Sequence, residues 1–169
     1  MVQLATRSAD VDLGARLALA SQVVRNEDFS GTRLDSFKAT ACTFVATDFS
    51  KMWIGDAQFG VGPTQTLYRG CTFDGSTIYA IDAGNARFES CRFLGVTLID
   101  WVTRGVEMVD CEFTGAISQA WFSGELDAAD AAYYGRTANE FSGNDFRGTS
   151  LVSVRFDGIA LDRQLLPQS

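Results

Sequence analysis

Cys71-Thr72-Phe73-Asp74-Gly75 returns twenty positions later as Cys91-Arg92-Phe93-Leu94-Gly95, and Cys111-Glu112-Phe113 keeps the same spacing. Stepping outward from this stretch by fives gives Phe29, Leu34, Ala39, Phe44, Phe49, Ile54 and Phe59. The register resumes at Phe73, Ile78, Ala83, Phe88, Phe93, Leu98, Thr103, Met108 and Phe113, and again at Phe141, Phe146, Leu151, Phe156 and Leu161. Eleven of the thirteen Phe fall on this lattice. A period of five is neither the 3.6 of a helix nor the 2 of a regular strand. Two residues before each centre the side chain is small or apolar, and two residues after it Gly recurs. Each pentad therefore reads as one short extended side followed by a tight corner.

The 20-residue spacing of Cys71, Cys91 and Cys111 makes four sides to a coil. Allowing a loop insertion at 60–65 and a helical insertion at 125–138, the centres sort into four columns. The first is Phe29, Phe49, Phe73, Phe93, Phe113 and Phe146, a stacked aromatic core. The second is Leu34, Ile54, Ile78, Leu98, Ser118 and Leu151; the fourth is Phe44, Tyr68, Phe88, Met108, Phe141 and Leu161. In the third, the small centres Ala39, Ala83, Thr103 and Ser123 follow large residues two positions earlier (Phe37, Ile81, Trp101 and Trp121), whereas Phe59 follows Ala57. Close-packed interiors require such volume compensation. The expected fold is an all-β solenoid, a four-sided parallel β-helix of about six coils over residues 27–163. At about 4.8 Å per coil this makes a rod roughly 29 Å long. Residues 1–26 are expected as an N-terminal cap, with a short helix over Ser8 to Ala20, and residues 164–169 as a C-terminal cap or tail.

With Asn144-Asp145-Phe146-Arg147-Gly148 as a further match, this pattern resembles the pentapeptide-repeat proteins over about four-fifths of the chain. The resemblance implies a right-handed quadrilateral β-helix. It carries over no catalytic residue, because the family shares none. Some members protect DNA gyrase from quinolones by presenting an acidic rod that resembles duplex DNA.

Composition narrows the function classes. The 169 residues contain no His, which removes Ser-His-Asp and Cys-His catalysis and imidazole metal sites. A net charge of −7 disfavours direct binding to nucleic acid or to an anionic membrane. No apolar run approaches a membrane span, and the first residues lack a signal-peptide pattern, so a cytoplasmic location is expected. The four Cys sit at the small inward position without metal-ligand spacing and read as packing residues; neither metal nor cofactor is expected. Gly60-Val61-Gly62-Pro63-Thr64-Gln65 lacks the ending and context of a phosphate loop. Glu125, Asp127 and Asp130 read as solvated helix surface rather than acid–base machinery.

Two outer surfaces remain as candidates. Tyr79, Ile99, Val102, Ile117 and Phe122 are expected to point outward near the corner between the second and third columns, with Trp53 and Val152 further along. Clustered exposed apolar residues mark contact surfaces. This patch would hold a protein partner or a second copy in a homodimer, unless the 125–138 helix folds back over it. The second surface is acidic: Asp28, Asp48, Asp74, Glu112 and Asp145 flank the first column, interrupted by Arg92 and Arg147. A duplex segment of the rod's length carries roughly 17 phosphate charges. The expected function is thus a non-enzymatic scaffold binding through its outer faces, with DNA mimicry toward gyrase as the alternative.

Overall fold

In the computed structural model, residues 15–102 and 105–168 are described. They form a parallel β-solenoid whose strands belong to two sheets, one of nine and one of six strands. Strands spaced about one coil apart pair in register: Leu34 with Ile54, Ile54 with Ile78, Ile78 with Leu98 on one face, and Phe44 with Tyr68, Tyr68 with Phe88, Phe88 with Met108 and Met108 with Phe141 on another.

The first column is a continuous stack of rings. Phe29, Phe49, Phe73, Phe93, Phe113 and Phe146 are all buried. Successive ring centroids lie 5.2, 4.9, 4.6, 4.7 and 4.6 Å apart with nearly parallel planes. Those separations are set by the spacing of paired strands. Offset stacking adds to what each ring gains by leaving water. Phe44, Tyr68 and Phe88 form a parallel stack of their own, at 4.9 and 4.7 Å. The buried Tyr68 hydroxyl donates to the Phe59 carbonyl at 2.8 Å.

Most corners share one feature. The residue two beyond the centre takes positive φ, as at Gly31, Gly75 and Gly95, but also at Ala41, Ala46, Lys51, Ser90 and Asp110, whereas Ser36, Asp56 and Gly148 do not. Eleven non-glycine residues among those described adopt this conformation. It costs about 1–2 kcal/mol for a residue with a Cβ, a cost the stacked coils must offset.

Three expectations are corrected. The helix read over Ser8 to Ala20 is absent from its described part: Arg16–Ala20 is a strand that pairs with Ser36–Thr40, setting Leu17 over Phe37 and Leu19 over Ala39. Residues 8–14 lie outside the described residues. Coil geometry thus reaches into the expected cap, because Leu17 and Leu19 alternate inward with strand period and gain more from stacking than from an isolated turn of helix. The second correction is a slip of register. Ile117, not Ser118, continues the Leu98 position, and Phe122 rather than Ser123 occupies the third column. The chain cuts the corner after Phe113 one residue short at Gly115, whose φ is +102 and whose Cβ position lies 2.2 Å from the Val96 carbonyl oxygen. Only Gly fits there. Volume compensation survives the slip, since the residue two before Phe122 is Ala120; Trp121 faces out instead. Thr103 lies outside the described residues. Third, Leu161 is exposed in a 3₁₀ turn, Leu161–Arg163, and does not extend the fourth column. The end is closed by Gln164 and by Leu165, whose N–H donates to Asn144 and whose carbonyl accepts from Phe146.

Candidate functional site

Everything the columns hold is filled by side chains, so any binding chemistry lies outside them or where the chain leaves the coil. It leaves twice, at one corner. Between Phe59 and Tyr68 the turn at 62–65 bulges out, and between Phe122 and Phe141 the chain makes a longer excursion carrying helix α1 (Ala128–Tyr134). Both fall between the third and fourth columns. An antiparallel bridge between Glu125 and Ala138 closes the neck of the second excursion. The helix forms from an alanine-rich run. Asp127 caps it by accepting from Asp130 N at 2.8 Å, and Gly135 ends it in the left-handed region with its N–H on Ala131 O.

A polar network braces the two excursions against the coil. Arg136 donates from Nη1 to Asn85 Oδ1 at 2.8 Å, from Nε to Asn139 Oδ1 at 3.2 Å and from Nη2 to the Gly105 carbonyl. The Asn85 amide in turn donates to the Pro63 carbonyl at 2.9 Å, reaching the first excursion. Glu107, only 7% exposed, accepts from Gln65 Nε2 at 2.8 Å and Glu140 N at 2.7 Å, with Arg87 at 3.3 Å and Arg136 at 3.8 Å. Arg87 also pairs with Glu89 at 2.6 Å and Glu140 at 3.0 Å. Burial works to lower the Arg87 pKa, but Glu89, Glu140 and Glu107 outweigh it and raise it. For Arg136 burial prevails against Glu107, and its pKa falls below the usual guanidinium value. The Arg87 bond holds the Glu89 carboxyl below its ordinary value, against the opposing effect of burial.

A groove lies between α1 and the coil, with a cavity of about 590 Å³. Its floor is the third face, including Gln58, Asp82, Asp100 and Val102; its walls are Val61 and Gly62 of the first excursion and Asp130 and Tyr134 of the helix. Tyr134 rests where a Cβ on Gly105 would come within 2.7 Å of its ring. Burial, then the carboxylates of Asp130 and Asp82, push the Tyr134 hydroxyl above its ordinary pKa.

The expected apolar patch is dispersed. Ile117 and Phe122 are fully buried by the register slip at Gly115 and leave it. Tyr79 and Val102 remain outside, 37% and 49% exposed, with Ile99 half-buried. Ile99 pairs with Tyr79 in one outward row, which continues through Ser118 to Val152. Val102 stands in the next row, between Asp82 and Trp121. Trp121, 40% exposed, was missed; it donates from Nε1 to Asp157 at 2.9 Å and carries Arg155 over its ring. Choosing apolar Ile117 and Phe122 over Ser118 and Ser123 as centres was the available signal. No α1 residue is buried, so the helix stands beside the coil without sealing Val102.

The acidic row is real in register but partly neutralised. Asp28, Asp48, Thr72, Arg92, Glu112 and Asp145 align from coil to coil. Arg92 pairs with Asp74 at 2.5 Å and Arg147 with Asp145 at 2.8 Å. Asp28, Asp48 and Asp145 each accept the N–H two residues on, at 2.8 to 3.0 Å, so these carboxylates shape turns.

Three of the four cysteines are donors in a ladder. Thr47, Cys71, Cys91, Cys111, Asn144 and Gln164 donate in turn to the carbonyls of Val24, Phe44, Tyr68, Phe88, Met108 and Phe141, at 2.8 to 3.5 Å. Each thus gives a side-chain donor to a carbonyl of the paired strands in the neighbouring coil. Among the described residues no group of three or more His, Cys, Asp or Glu could hold a metal ion. No helix among them is long and apolar enough to cross a membrane.

No protein-family model and no curated protein matches the chain. Among solved structures, two trypsin-treated variants of QnrB1, described as a plasmid-mediated fluoroquinolone resistance protein, resemble it. One is 16% identical with a TM-score of 0.40, covering 90% of this chain and 79% of that one. The other is 16% identical with a TM-score of 0.29, covering 91% and 79%.

Proposed function

We propose that this chain is a non-enzymatic scaffold of the pentapeptide-repeat type that holds a protein partner, or a second copy of itself, against its outer faces. One observation carries the reading. The interior is an unbroken stack of side chains with ring spacings of 4.6 to 5.2 Å, while Tyr79, Ile99 and Val102 stand outside on adjacent rows. Apolar side chains left in water on a rigid frame lose little entropy on docking, which favours binding there. The test pairs solution mass by light scattering with a pull-down, using wild type and Ile99→Ser. Self-association or partner capture is expected to weaken in the variant while its melting temperature stays within a degree or two of wild type. Equal behaviour of the two proteins in both assays would sink this site.

DNA mimicry toward gyrase draws its support from the aligned Asp28, Asp48 and Glu112, but Arg92 and Arg147 neutralise Asp74 and Asp145 beside them. Failure to rescue supercoiling from quinolone inhibition at micromolar protein removes that alternative.

A further inference from the structure

The repeat takes in extra residues at one corner only among the described residues, and both insertions there build the same groove. That coincidence is costly to arrange. Keeping the excursions in place uses Asn85, Glu107 and Arg136, and burying a charged pair such as Glu107 and Arg136 stabilises a fold poorly compared with apolar packing. Each excursion supplies a wall, and the outward row Gln58, Asp82 and Val102 supplies the floor.

We propose that this groove receives an arginine or lysine side chain projecting from a partner protein. Asp82, Asp100 and Asp130 line it, and none of the described lining residues is cationic. Val61, Val102 and the Tyr134 ring give an apolar run beside the carboxylates. Long basic side chains match that pairing, laying an aliphatic stem on apolar surface while the cationic head meets carboxylate. Burial is the main cause of the raised pKa of the Tyr134 hydroxyl; Asp130 on the helix and Asp82 on the floor add to it, against Arg136, whose guanidinium lies over the ring at 5.3 Å. A divalent metal is a poorer occupant, since the described residues offer no cluster able to ligate one. A second copy is also poorer, as two chains of net charge −7 repel. The cavity falls within the size range of small-ligand sites.

This inference rests on the scaffold reading and names what its partner must present. The probe is a fluorescein-labelled, capped Gly-Arg-Leu-Arg-Gly peptide, with a Gln-for-Arg version as control, read by anisotropy. Two double variants remove equal charge: Asp82→Asn with Asp100→Asn in the groove, and Asp28→Asn with Asp48→Asn on the acidic row. Thermal melts confirm that both fold. Saturable binding of the Arg peptide is expected, weakened about tenfold or more by the groove variant and by the Gln substitution, while the row variant changes it less than about threefold. Equal losses in both variants would assign the attraction to diffuse charge and overturn the proposal, as would equal binding of the two peptides. So would displacement of the peptide by stoichiometric spermidine, which would make the occupant a free amine. Absence of binding up to about 1 mM peptide overturns it too. Persistent, Ile99-dependent capture in the pull-down would then leave the scaffold standing without this groove.

Discussion

Two corners of the same coil solve the same problem by different means. Between the fourth and first columns the chain turns without interruption, and one small donor per coil, from Thr47 through the three cysteines to Asn144 and Gln164, meets the carbonyl beneath it. Between the third and fourth columns the chain departs twice, and long side chains reach across to hold it: Arg87, Arg136, Gln65 and Glu107. A regular corner needs only a short polar atom in a fixed place. An interrupted one needs reach, and reach brings charge into partly buried ground, where it must be paired. The groove proposed above lies at the second corner, where departures from the repeat are free to vary while the frame stays fixed.

The first ring column, where Phe93 packs against Phe88 of the fourth column and against Trp101, sets the upper limit of stability effects. Phe93→Ala is expected to cost about 3–5 kcal/mol through lost burial and the cavity left between Phe73 and Phe113. Because those contacts tie both corners to that column, calorimetric melting and proteolysis of the 125–138 excursion should worsen together. Excursion cleavage that stayed at the wild-type rate would show that α1 is held independently of the core.

Glu107→Ala tests the interrupted corner alone. It strips partners from Arg87, Arg136, Gln65 and the Glu140 N–H. A cost of about 2–4 kcal/mol is expected, below that of a fully buried pair because each guanidinium side chain keeps 19% exposure. Here cleavage within 125–138 should accelerate well before the coil melts. Asn144→Ala is the matching change at the regular corner. It leaves the Met108 carbonyl, the Cys111 N–H and the Gln164 side chain each short of a partner, for about 1–3 kcal/mol. Its melting temperature should fall with no separate opening of α1. If Asn144→Ala loosened the excursion and Glu107→Ala did not, the division of labour between the corners would be reversed.

Much of this was legible in the sequence, because period-five burial is a direct readout of coil geometry. The Phe column, the stacked cysteines and the aligned acidic row all follow from counting residues. Counting fails where a coil drops one residue, since nothing marks the deletion except Gly115 and the apolar pair Ile117 and Phe122 that it draws inward. Of the five expected patch residues, Tyr79, Ile99 and Val102 precede that slip and stay outside; Ile117 and Phe122 follow it and do not. The two insertions that wall the groove were legible, but the network that braces them was not. Gln65, Asn85, Glu107 and Arg136 are far apart in sequence, and each alone reads as an ordinary polar side chain.

The smallest expected effect concerns what each corner tolerates at a turn. Ala46, at the regular corner, holds φ +50 with its Cβ. At the interrupted corner Gly84 has nearly the same φ, +52, but a Cβ there would lie 2.2 Å from the Gly60 carbonyl oxygen. Gly84→Ala should therefore cost about 1–3 kcal/mol, because backbone on one coil would have to move away from backbone on the next. Ala46→Gly runs the other way. Gly relieves the left-handed conformation, worth about 1–2 kcal/mol, but enlarges the unfolded ensemble by about 0.5–1 kcal/mol. The difference leaves a stabilisation of a few tenths to about 1 kcal/mol, readable as a small rise in the urea midpoint at unchanged slope. A fall in that midpoint would mean that the Ala46 methyl contributes packing that outweighs its backbone strain, and that the regular corner is as closely fitted as the interrupted one.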